Sequence, residues 1–117
     1  MSERTISFID VDLTAVKNAI SSYTSFYNGL ADIYDSHYPN TKKLANELHD
    51  GFMDAYVGEN EEVIKKVDSI CTQTDELGKS ITSLLDSVGG YIQELQRRLN
   101  ELGDERIRAE REQSSNR

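Results

Sequence analysis

Apolar residues recur along the first half of the chain at Leu13, Val16, Ile20, Tyr23, Tyr27, Leu30 and Tyr34, with alternating steps of three and four. That is a heptad, and it predicts an amphipathic helix with one face turned to a neighbour. Asp10 and Asp12 stand just before it, and either side chain could cap the helix start. A second row, Ala19, Phe26 and Ile33, repeats at seven and widens the stripe beyond a narrow two-stranded seam.

Pro39 interrupts the helical bonding, because it has no N–H to donate to the Asp35 carbonyl and its ring crowds the preceding turn. With Leu13 at position a, the same frame continues to Leu44, Leu48, Gly51 and Ala55 and leaves Pro39 off the seam. This count predicts a kink. The alternative is a break over 36–40, with Asn40 capping a separate helix. The flanking row changes sides across this point, from Ala19, Phe26 and Ile33 to Ala45 and Phe52.

The first pattern ends at Ala55. Gly58 can close a helix in the left-handed conformation, and Asn60, Glu61 and Glu62 are suited to open the next one. Beyond this bend at 56–60 run three rows with a period of seven. The first is Val67, Thr74, Ile81, Val88, Leu95 and Leu102; the second is Val63, Ile70, Leu77, Leu84 and Tyr91; the third is Ile64, Cys71, Leu85, Ile92 and Leu99, with Gly78 in the same register. Gly89 and Gly90 fall on the outer face and predict a soft spot, each weakening a helix by roughly 1 kcal/mol relative to Ala.

Asp12 to Ala55 is 44 residues and Asn60 to Leu102 is 43. Matched arms predict an all-α fold, a long antiparallel helical hairpin over 10–102, with each arm roughly 65 Å long at about 1.5 Å per residue. Residues 1–9 are expected to be a lead and 103–117 a charged, fraying tail. Each arm carries more apolar rows than a lone hairpin can bury, so the expected assembly is a four-helix bundle completed by a partner. Phe26, Ile33, Ile64, Ile81, Leu84, Leu85, Ile92 and Leu99 are the candidate partner-binding residues. That partner is a second copy or a different helical protein.

A formal net charge of −8 disfavours nucleic acid and anionic membranes as partners, since both need clustered Lys and Arg. The acid is unevenly placed: residues 1–95 hold 16 Asp and Glu against 7 Lys and Arg, whereas 96–117 hold 5 against 6. A lone cysteine, Cys71, excludes an intrachain disulfide and reads as a small buried hydrophobe. No signal-like N-terminus or apolar run of about 18 residues is present, so the chain is expected to be cytoplasmic or exported without a cleavable signal.

Candidate chemistry is sparse. His37 and His49 are twelve apart and lack the spacing of a helical metal site, so both read as surface residues. Asp54, Glu59, Glu61 and Glu62 lack the alternating ligands and fixed glycine of a calcium loop. No phosphate-binding loop, nucleophile elbow or cysteine pair occurs. No cofactor, metal or enzymatic activity is expected.

Two matched helices joined at Tyr56-Val57-Gly58 resemble the small W-x-G proteins of bacterial type VII secretion, with Tyr in place of Trp. The resemblance covers roughly residues 10–102. It implies a hairpin that dimerises head to tail into a four-helix bundle, or pairs with the N-terminal helical domain of a secreted toxin as a targeting factor. The family's export element, Tyr-x-x-x-Asp or Glu, is not met at Tyr91, where Leu95 is the fourth following residue and Glu94 comes one too early. A Phe-x-x-x-Asp pattern similar to that of toxin-partner proteins occurs at Phe8 and Asp12, near the opposite terminus.

Overall fold

The computed structural model describes residues 3–56 and 61–115, and every described residue is helical. Helix α1 spans Glu3–Asp32 and continues through one π turn, Ile33–His37, into α2, Tyr38–Tyr56. Helix α3 spans Glu61–Ser115. Two long helical arms therefore lie on either side of residues 57–60 in the chain, as a helical hairpin requires.

The molecule divides into two compact units. In the first, α1 up to Tyr27 pairs with α3 from Ser87 onward. Ile9 packs with Leu102 and Ala109, and Tyr23 meets Tyr91 edge to face at 4.8 Å, so the two segments run antiparallel. Leu102, at 1% exposure, is the most deeply buried large side chain, and Ile6, Leu13 and Val16 close around it and its two neighbours.

The expected lead and tail both belong to this unit. Helix α1 starts at Glu3, not near Asp10, and α3 runs to Ser115 without ending near Leu102. The periodicity explains why: Ile6 and Ile9 extend the first heptad one repeat backward, and Ala109 stands seven beyond Leu102. Asp10 is no cap. Its carboxylate accepts a hydrogen bond from Arg106 Nε at 2.5 Å, joining the two segments.

In the second unit, residues 28–86, the pairing is also antiparallel. The Tyr38 hydroxyl donates to the Thr74 carbonyl at 2.9 Å, Cys71 Sγ to the Ala45 carbonyl at 3.5 Å, and His49 Nε2 lies 2.9 Å from Asp68. Among the described residues of this unit, Ala45, Val67 and Ile81 are the buried hydrophobic ones.

Pro39 neither breaks the arm nor leaves its frame intact. Asp32 and Tyr38, which flank the π turn, both have ordinary right-handed helical angles, and the Tyr38 N–H bonds to the Ile33 carbonyl five residues back. A π turn holds one extra residue, and it widens the helix where the proline ring would otherwise press on the Asp35 carbonyl. One extra residue rotates everything after it by about 100° relative to the heptad. The seam consequently passes from Tyr27 and Tyr34 to Tyr38, Ala45, His49 and Phe52. Leu44 and Leu48, which an unbroken count places in the seam, are 57% and 48% exposed.

On α3 the first row supplies the seam, with Val67, Ile81 and Leu102 buried and Thr74, Val88 and Leu95 half-buried. The third row lies half-buried beside it, at Ile64, Cys71, Leu85, Ile92 and Leu99, with Gly78 buried. The helix runs through Gly89 and Gly90 without interruption. Gly89 is half-buried, not outward-facing, and a Cβ there would touch the Tyr27 ring at 3.5 Å.

Candidate interaction surface

Once the seam is closed, the middle of the second row of α3 is left over. In the second unit Ile70, Leu77 and Leu84 are exposed, with Leu77 at 49% and Leu84 at 47%. Their spacing of seven puts them on one line along the helix, about 10.5 Å apart at about 1.5 Å per residue. On the opposite arm Ile33, Leu44 and Leu48 are exposed as well. Six large apolar side chains are thus exposed on this helix pair, three of them in one row.

The candidate residues separate into three groups. Phe26, Ile33 and Leu84 are exposed. Ile64, Leu85, Ile92 and Leu99 are half-buried in the row that borders the seam. Ile81 is 7% exposed and belongs to the chain's own seam, because the first row of α3, and not an outer row, meets α2. Ile70, Leu77, Leu44 and Leu48 were missed as surface residues. The seven-residue row of Ile70 and Leu77 was visible in the sequence, whereas the exposure of Leu44 and Leu48 depends on the π turn.

The hairpin-bend motif is described only in part. Tyr56 is the last residue of α2, and Gly58 lies outside the described residues. Of the export-motif residues, Phe8 is exposed with the Arg4 guanidinium 5.6 Å from its ring centroid, and Asp12 is exposed. Tyr91 is occupied by its contact with Tyr23, and Glu94 accepts a hydrogen bond from Arg97 at 2.9 Å.

Charge is divided between the units. Residues 28–86 contain 12 Asp and Glu against 5 Lys and Arg, whereas the first unit is nearly balanced at 9 against 8. In the first unit the pairs are organised around arginine. Arg106 bonds Asp10 and Glu110, and Arg97 bonds Glu94 and Glu101. The Arg106 hydrogen bond holds the Asp10 carboxyl below its ordinary 3.8, and Asp10 raises Arg106 in return. Glu94 and Glu101 likewise raise Arg97.

The second unit has an open groove of about 660 Å³, whose walls include Tyr34, Tyr38, Lys42, Asp75 and Gly78. Its two tyrosine rings stack at 5.5 Å, and Lys42 pairs with Asp75 at 3.8 Å. His49 is not the plain surface residue its sequence neighbourhood suggests, because the one-residue phase shift turns it toward α3 and Asp68. Among the described residues no group of three or more His, Cys, Asp or Glu is placed to hold a metal ion, and no helix is long and apolar enough to cross a membrane.

Comparison with protein-family models, with curated proteins and with solved structures returns no match.

Proposed function

We propose that this chain is a non-enzymatic helical binding partner, which covers its leftover apolar rows by pairing with a second helical protein. The observation that carries this is the line of Ile70, Leu77 and Leu84, half in water on a helix whose other apolar rows are used within the chain. Burying each such side chain contributes roughly 1.5 to 3 kcal/mol at the upper limit of full transfer, so a helix laid along the row has a clear driving force. A helix-in-groove or bundle partner fits side chains recurring every seven residues; a flat ligand does not.

Within this function, the role is that of a type VII secretion substrate or of a targeting factor for a secreted toxin. That role is supported by the resemblance of Tyr56-Val57-Gly58 to the W-x-G motif between matched arms. A second role, an adaptor or structural component unrelated to secretion, is favoured by the missing acid four residues after Tyr91.

Light scattering of the purified chain, alone and with proteins that co-purify from its native cell, tests the pairing. A complex heavier than 13.2 kDa that is lost on Leu77→Lys or Leu84→Lys supports it. A monomer under all conditions, with no co-purifying helical protein, refutes it. Loss of the protein from the culture medium after deletion of a secretion apparatus separates the two roles.

A further inference from the structure

His49 lies at the α2–α3 seam between two carboxylates. Its Nε2 is 2.9 Å from Asp68 Oδ1 on α3, and its Nδ1 is 3.4 Å from Asp50 Oδ1 on α2. These are the charged groups that face the ring from the two elements packed around it. An ionised carboxylate only accepts hydrogen bonds, and a neutral imidazole has one N–H and one lone pair. In the neutral form one of the two contacts would therefore set a lone pair against a carboxylate oxygen. Only the imidazolium donates to both.

We propose that His49 is a proton-strengthened clasp, whose tie from α2 to Asp68 of α3 is an ion pair when the ring is protonated and is weakened to a neutral hydrogen bond when it is not. Tyr38 to Thr74, Lys42 to Asp75 and Cys71 to Ala45 are further polar ties across this pair, each farther from the end of α2 than His49.

The hydrogen bond to Asp50 and that to Asp68 hold the imidazole above its ordinary 6.5, while burial opposes them. A basic group raised by folding stabilises the folded form below its unfolded pKa and loses that contribution as pH rises through the folded value. The pair is therefore tighter in acid and looser in base. The clasp is independent of any partner, so it stands or falls apart from the pairing function.

The test is an NMR titration of the full chain, together with amide hydrogen exchange corrected for the intrinsic rate, at about pH 5.5 and about pH 8. His49 should titrate above 6.5, and Asp68→Asn should bring it down. Protection of amides 45–52 and 64–71 should fall severalfold between the two pH values, and this fall should vanish in both Asp68→Asn and His49→Gln. His49 titrating at or below 6.5, or a fall in protection unchanged in both variants, would overturn the clasp.

Discussion

The ring of Tyr38 fills the space where a side chain on Gly78 would begin. A Cβ at position 78 would collide with the Tyr38 hydroxyl oxygen and lie 2.5 Å from Cζ. The hydroxyl is held by the Thr74 carbonyl and the ring by its stack on Tyr34, so the tyrosine cannot yield without losing both. Tyr38 is also the first residue after the π turn, which makes this contact the point where the shifted frame of α2 locks onto α3.

Gly78→Ala therefore sets two effects against each other. Alanine favours the helix by about 1 kcal/mol, while displacing Tyr38 costs a hydrogen bond of about 0.5–1.5 kcal/mol and overpacking strain of about 1–3 kcal/mol. The expected result is a net loss on the order of 1 kcal/mol in urea unfolding. In a Tyr38→Ala background the obstacle is gone and the same substitution should stabilise. Equal effects in both backgrounds would show that Tyr38 does not govern this position.

The paired termini should behave as part of the fold. Leu102→Ala, at the most buried large side chain, should cost about 2–5 kcal/mol. Truncation after Gly103 removes Ala109 from the Ile9 and Leu102 cluster and leaves Asp10 without its arginine. Circular dichroism should show a lower melting temperature and a larger loss of helix than the removed residues account for. A purely proportional loss would mean that the segment is dispensable.

Asp10 supplies the acid limb of the pH response. Its carboxyl is held below 3.8 by the Arg106 hydrogen bond, so its contribution is present above 3.8 and is lost as pH falls through the lowered value. Carbon NMR of the side-chain carboxyl should show this displacement, and Arg106→Gln should return it toward 3.8. Asp10→Asn should make stability less dependent on pH in that range.

Neighbouring rows on α3 should answer differently to the same charge. Lysine at Leu84, already half in water, should change the stability of the isolated chain by no more than about 0.5 kcal/mol while abolishing pairing. Lysine at Ile81 buries an unpaired charge in the seam and should unfold the second unit. Chemical denaturation alongside light scattering distinguishes the two; a destabilised Leu84→Lys chain would assign Leu84 to the seam instead.

Deleting Ser36 removes one residue from the π turn and should restore an unbroken heptad. Because the deletion takes out the residue that the π turn absorbs, the residues after it keep their faces, with Ala45 in the seam and Leu48 outside it. In a Cys71→Ser background, thiol labelling of Leu48→Cys should stay fast and that of Ala45→Cys slow after the deletion. Accelerated labelling of Ala45→Cys would show that the turn does not absorb the extra residue.

Periodicity alone determined the helical class, the two arms and the place where one pattern stops and the next begins. It also contained the terminal pairing, since Ile6, Ile9 and Ala109 stand in register with the heptads, although short charged ends read as a lead and a tail. Which of the three α3 rows meets α2 was not in the pattern, because all three are apolar and repeat equally well.

Tertiary structure decided that choice, and with it which residues are left exposed. Ile81 turned inward and Ile70 and Leu77 outward because two helices in contact share one stripe and expose the rest. The frame after Pro39 was decided in the same way. A proline states only that a hydrogen bond is missing, and the chain relieves it with one extra residue in a widened turn. That one residue brings His49 to Asp68 and leaves Leu48 in water.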